Sequence, residues 1–222
     1  MGRPFERGLA ALLALSLLIP AQGAFAQRAA AGNPANGKVF SAQCQECHGE
    51  AGFSTSDHYP NLAGQNEAYI RKQLADFQSG ARQSEIMNAM AAELSQDNIA
   101  SIAAYFASVP AMSAEGPGDG AWGRTLFNTG DATRALPACA SCHDPKPQAD
   151  SGAASPVPVL VGQRENYLID QLWSWKAENR TNSPGGAMNA IGHRLTDADI
   201  DALAKYLAGP RESVSGDAKP KP

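Results

Sequence analysis

Apolar side chains recur three and four residues apart in two pairs of stretches, the spacing that lines one face of an α-helix. Ile70 and Leu74 share a face with Tyr69, Gln73 and Phe77, and Leu168, Leu172 and Trp175 form the same stripe later in the chain. A second kind of stripe is built from Ile99, Ile102 and Phe106, and returns as Ile200, Leu203 and Leu207. Ser95 and Thr196 stand just ahead of these closing stripes, where a side-chain oxygen can accept from the first backbone N–H groups of a helix. Another helix opens at Asn33-Pro34, an N-cap followed by Pro at the first helical position, and runs through Gln43. No segment shows the strict alternation of a half-buried strand, so the fold class is all-α.

One apolar run follows a different logic. Leu9 to Ile19 is continuous, is preceded by Arg3 and Arg7, and is followed by Ala24-Phe25-Ala26, the form of a cleaved secretory leader. It is shorter than the roughly 20 residues a membrane-spanning helix needs. The expectation is a signal peptide over 1–26, cleavage after Ala26, and a periplasmic mature protein beginning at Gln27.

The chain also repeats itself. Pro60-Asn61-Leu62-Ala63-Gly64-Gln65, followed by Tyr69 and Gln73-Leu74, recurs as Pro158-Val159-Leu160-Val161-Gly162-Gln163, followed by Tyr167 and Gln171-Leu172. Met87-Asn88-Ala89 with Leu94, Ile99 and Tyr105 recurs as Met188-Asn189-Ala190 with Leu195, Ile200 and Tyr206, at a constant offset of 101. Gly37 and Phe40 correspond to Gly123 and Leu126. Each half therefore reads helix, cysteine site, Pro-containing loop, helix, Met, closing helix. The expected organisation is one domain over 27–108, a Pro- and Gly-rich linker over 109–120, a second domain over 121–208, and a disordered polar tail over 209–222.

All four cysteines fall in two copies of one pattern, Cys44-Gln45-Glu46-Cys47-His48 and Cys139-Ala140-Ser141-Cys142-His143. Two Cys separated by two residues, with His next, is how a c-type haem is attached. Each sulfur forms a thioether to one vinyl group, and the adjacent imidazole is then placed to bind the iron. Disulfides, a zinc ribbon or redox dithiols would also use paired cysteines, but zinc ribbons place their pairs about 15–20 residues apart and none of these needs His after both pairs. Two covalently bound haem c groups are expected, with His48 and His143 as proximal ligands. Pro60 and Pro158 are placed to offer carbonyls to the second imidazole nitrogen, and the repeat selects Pro158 over Pro156.

The sixth iron position in the first half has four candidates: Met87, Met90, Met112 and His58. The repeat pairs Met87 with Met188 but Met90 with Ile191, so Met87 and Met188 read as ligands and Met90 as packing. His58 and His193 have no counterpart in the other half and read as ordinary histidines. A thioether there closes the site and raises the reduction potential, because neutral sulfur favours the ferrous state. Domains of about 80–100 residues have marginal cores of their own, so the haem is expected to complete each core and the apo chain to fold poorly.

Loss of 1–26 removes Arg3, Arg7 and Glu6 and leaves 196 residues with 16 basic and 21 acidic side chains, a net charge of −5. Nucleic acid binding needs a basic footprint, which argues against such a partner.

These motifs together resemble the cytochrome c4 family, over residues 33 to 208. The resemblance implies two tandem class I cytochrome c domains related by an approximate two-fold axis, with His-Met ligation of both haems by His48 and Met87 and by His143 and Met188. It also implies a periplasmic role in passing electrons to a terminal oxidase. The second half departs from the first in a longer approach to its cysteines, Asn128 to Pro137, and in an insert-like stretch from Pro145 to Pro158. The expected function is a dihaem electron carrier and not an enzyme, with a respiratory donor and an oxidase as partners and room for peripheral membrane association. A rival is the dihaem subunit of a dehydrogenase, such as the partner of a flavoprotein that oxidises sulfide. A dihaem peroxidase would need an open iron, which Met in both halves argues against.

Overall fold

A computed structural model describes residues 31–111, 120–143 and 155–209, together with residue 2. The leader, most of the linker and of the Pro145 to Pro158 stretch, nearly all of the tail, and Met112 lie outside the described residues.

The first half folds as α1 (Pro34–Phe40), α2 (Ala42–His48), α3 (Glu67–Ser79), α4 (Glu85–Ala92) and α5 (Gln96–Ser108). The second half follows the same order with α6 (Ala121–Thr129), α7 (Ala140–His143), α8 (Glu165–Lys176), α9 (Ala187–Gly192) and α10 (Asp197–Ala208). Among the described residues the only extended pairing is an isolated bridge between Asp131 and Leu136. No described helix is long and apolar enough to cross a membrane.

The closing helices form as their sequences predict. Ser95 Oγ accepts from Asn98 N, and Thr196 Oγ1 accepts from Asp199 N while the Asp199 carboxylate accepts from Thr196 N, a reciprocal cap. Ile99, Ile102 and Phe106 are buried in the first core with Ile70 and Leu74, and Ile200, Leu203 and Leu207 are buried in the second with Leu126 and Leu168. The predicted helix through Gln43 is instead two helices. The Ser41 hydroxyl donates to the Lys38 carbonyl, and a turn at Ser41 separates α1 from α2, which carries the first cysteine site.

In both halves the first helix crosses the last at a glycine. A Cβ on Gly37 would stand 1.9 Å from the Ser101 carbonyl oxygen on α5, and one on Gly123 2.1 Å from that of Ala202 on α10. The equivalence of their neighbours is weaker, since Phe40 is 42% exposed while Leu126 is fully buried.

The P-x-L-x-G-Q loops are anchored alike. Gly64 N donates to the Phe106 carbonyl and Gly162 N to that of Leu207, each at 2.8 Å. Both glycines have positive φ, which side-chain-bearing residues seldom adopt. With these loops fixed on the closing helices, the two halves meet around an approximate two-fold. Gln65 bonds the backbone of Val159, and Gln163 bonds that of Asn61, in matching geometry.

Candidate functional site

Both cysteine sites open on one cavity of about 1010 Å³ that runs between the domains. That is at the upper end of the range of about 300–1,000 Å³ usual for ligand sites. Its walls include Leu62, Ile70, Leu74 and Phe106 from the first domain and Leu160, Leu172, Trp175 and Leu203 from the second. Cys44, Cys47, His48, Met87, Cys139, Cys142, His143 and Met188 all line it. Cys44 and Cys139 are half-buried, and Cys47 and Cys142 are exposed. Burial pushes the Cys44 thiol up, and the Cys139 thiol up to about 11. Among the described residues no group of three or more His, Cys, Asp or Glu side chains is placed to hold a metal ion by itself.

The two histidines are held in the same way. His48 Nδ1 lies 2.9 Å from the Pro60 carbonyl oxygen, and His143 Nδ1 lies 2.9 Å from that of Pro158. A carbonyl can only accept, so Nδ1 carries the proton and Nε2 remains as the nitrogen that can bind a metal. Burial lowers both imidazole pKa values, partly offset by the carbonyl contacts, which keeps the rings in the neutral, ligating form.

Met87 sits in the first turn of α4, where its backbone N–H donates to Ser84 Oγ, and Met188 in the first turn of α9, where its N–H donates to Ser183 Oγ. The asparagine after each methionine ties that helix to what precedes it. Asn88 Nδ2 donates to the carbonyls of Phe77 and Arg82, and Asn189 Nδ2 to those of Trp175 and Arg180. The Met-Asn repeat thus has a mechanical reason in its second residue. Met90 and His58 border the same cavity, so lining alone does not separate them from Met87. His58 is exposed, with Nδ1 3.9 Å from the Asp170 carboxylate, and His193 is exposed, with Nε2 3.2 Å from that of Glu178.

One constellation is built around two arginines that the repeated motifs do not include. Arg82 donates to Gln73 Oε1 in its own domain, and to Tyr167 Oη and Gln171 Oε1 in the other. Arg180 mirrors it, donating to Gln171 Oε1, Tyr69 Oη and Gln73 Oε1. Each guanidinium also stacks on an aromatic ring of its own domain, Arg82 4.6 Å from the centre of Phe77 and Arg180 4.3 Å from that of Trp175. The signal was available, because the two arginines each fall nine residues after the repeated glutamine.

A large, mostly apolar enclosure with paired thiols, a neutral imidazole and a thioether on each side suits a flat apolar macrocycle with a central iron. The donor set fits haem c in both halves.

Comparison with known proteins agrees with this chemistry. The family model described as "Cytochrome C oxidase, cbb3-type, subunit III" matches residues 33–106 and 125–207, one stretch in each half. A cytochrome c4 from Pseudomonas aeruginosa is 37% identical over 185 residues, covering 81% of this chain and 90% of that protein. A thiosulfate dehydrogenase electron acceptor from Stutzerimonas stutzeri is 35% identical over 213 residues, covering 94% and 96%. The crystal structure of reduced recombinant cytochrome c4 from Pseudomonas stutzeri superimposes with a TM-score of 0.71 at 34% identity, covering 82% of this chain and all of that one.

Proposed function

The chain belongs to the cytochrome c4 family, an electron-transfer protein and not an enzyme, and on that premise we propose that it is an exported dihaem carrier working in the periplasm. It passes single electrons from a respiratory donor to a terminal oxidase. Cys44 and Cys47 hold one haem and Cys139 and Cys142 the other. His48 with Met87, and His143 with Met188, would bind the two irons.

Bound haem supplies a reversible one-electron exchange between ferric and ferrous iron. The residues around it set how that exchange runs. Pro60 and Pro158 fix the imidazole rings by accepting hydrogen bonds from their Nδ1–H groups, and burial keeps the rings neutral. The methionine sulfurs would favour the ferrous state and would close the bound iron to oxygen or peroxide. Apolar walls exclude water, so little rearrangement accompanies a change of charge. Both donor sets line one enclosure, which supports electron exchange within a molecule.

The single observation that carries this reading is the pair of matching His–Pro contacts, each inside a Cys-x-x-Cys-His site and both at one cavity. Mass spectrometry of protein recovered from the periplasmic fraction tests it. The expected species starts at Gln27 and carries two haem masses. A single haem, or none, would contradict the proposal.

The Stutzerimonas stutzeri relative favours a second reading, in which the electrons arrive from a dehydrogenase. Rapid reduction by a thiosulfate dehydrogenase, or co-purification with a flavoprotein subunit, would favour it over a respiratory donor.

A further inference from the structure

The peptide groups that hold the two proximal histidines each have a second partner, and it belongs to the opposite domain. The Pro60–Asn61 peptide accepts from His48 Nδ1 through its carbonyl, and its N–H donates to Gln163 Oε1 at 2.7 Å. The Pro158–Val159 peptide accepts from His143 Nδ1, and its N–H donates to Gln65 Oε1 at 2.8 Å. Each glutamine returns a bond to the carbonyl of the residue it reads, Gln163 Nε2 to Asn61 at 3.0 Å and Gln65 Nε2 to Val159 at 2.9 Å.

The orientation of these amides is fixed by their donors. Gln163 Oε1 accepts from both Asn61 N and Arg164 N, and Gln65 Oε1 from both Val159 N and Asn66 N, so the oxygen ends cannot be exchanged for nitrogen. Both side chains are buried, at 5% and 3% exposure, where bulk water does not readily replace them.

A peptide is one conjugated unit, so drawing on its N–H shifts electron density toward its carbonyl oxygen. Hydrogen bonds in such a chain strengthen one another by roughly 10–30% each. A stronger carbonyl acceptor pulls harder on the imidazole Nδ1 proton and makes the ring a more basic ligand. A more basic ligand favours ferric iron.

We propose that Gln65 and Gln163 are positioning residues that act across the domain interface, each lowering the reduction potential of the haem in the other domain through the peptide that holds its proximal histidine. The two centres are then coupled by the seating of the domains as well as by distance. The inference rests on the reading of His48 and His143 as iron ligands.

The test uses the full holoprotein with Gln163→Leu and Gln65→Leu, which keep bulk and remove the acceptor. Potentials are measured haem by haem in an NMR-monitored redox titration, and the Nδ1 proton resonances of His48 and His143 are followed in the diamagnetic reduced state. Gln163→Leu should raise the potential of the His48 haem more than that of the His143 haem and move the His48 Nδ1 proton upfield. Gln65→Leu should do the reverse. Gln163→Glu, which keeps an oxygen for Asn61 N–H, should restore the His48 resonance.

Asn61→Ala serves as the interface control, because it cuts the bond from Asn61 Nδ2 to the Gly162 carbonyl, together with the bond from Ser54 N to Asn61 Oδ1 inside the first domain, without touching the Pro158–Val159 peptide. It should leave the His143 resonance in place. Larger shifts in the variant's own domain, equal shifts in both, no shift, or a His143 shift in Asn61→Ala matching that of Gln65→Leu would each overturn the proposal. Loss of the low-spin c-type spectrum in the unsubstituted protein would instead remove the ligand reading beneath it.

Discussion

Arg134 is bound to Asp199 in an ion pair that ties the turn after α6 to the first turn of α10. Trp122 Nε1 donates to the same carboxylate at 2.8 Å, as does Thr196 N. Burial alone would raise the Asp199 pKa, but the Arg134 guanidinium, the Thr196 donors and the Trp122 indole together hold it well below the usual carboxylate range.

A carboxyl whose pKa is lowered by folding contributes stability that is complete above its unfolded value, about 3.9, and is lost as pH falls through its folded value. Asp199→Asn should therefore destabilise the second domain at neutral pH by about 1–3 kcal/mol, the cost of donors left without their charged acceptor. The gap between variant and parent should narrow as pH drops below about 4. Urea melts followed at several pH values would check this, and a gap independent of pH would contradict it.

The glycine crossings allow a sharper test of packing. Gly37→Ala and Gly123→Ala each drive a methyl into the backbone of the closing helix, which cannot rotate out of the way. Overpacking commonly costs about 1–3 kcal/mol, and contact with backbone places these two at the top of that range or above. Thermal melts of the holoprotein should show the losses separately, one domain at a time.

Met87→Ala and Met188→Ala should each abolish the sulfur-to-iron signature of one haem and lower its potential, leaving the other haem in place. Magnetic circular dichroism with a redox titration reads both effects. Met90→Ala should leave both signatures intact.

Removing the attachment cysteines should cost structure as well as colour. Cys139→Ser with Cys142→Ser leaves the second domain with a core that is small for a self-sufficient fold. Its melt should lose cooperativity while the first domain retains its own, by the coupling of cofactor binding to folding.

Much of this architecture was legible because it rests on local rules. The buried stripes of α5 and α10, their caps at Ser95 and Thr196, and the His48–Pro60 and His143–Pro158 contacts all follow from spacing and the repeat. The break at Ser41 was not legible, because it depends on one hydroxyl reaching back to the Lys38 carbonyl within an otherwise helical pattern. Gln65 and Gln163 were visible as repeated letters, but their role depends on the two copies facing each other, which periodicity within one copy cannot supply. Arg82 and Arg180 were missed for the same reason. Arg134 lies in a stretch of the second half with no counterpart in the first, so the repeat could not point to its partner on α10.

The most direct measurement is carbon monoxide binding by the reduced, purified holoprotein, followed together with its absorption spectrum. Two centres closed by histidine and methionine should give a low-spin c-type spectrum that carbon monoxide leaves unchanged in the native state. Ready formation of a carbonyl complex at both irons without denaturation would contradict the account.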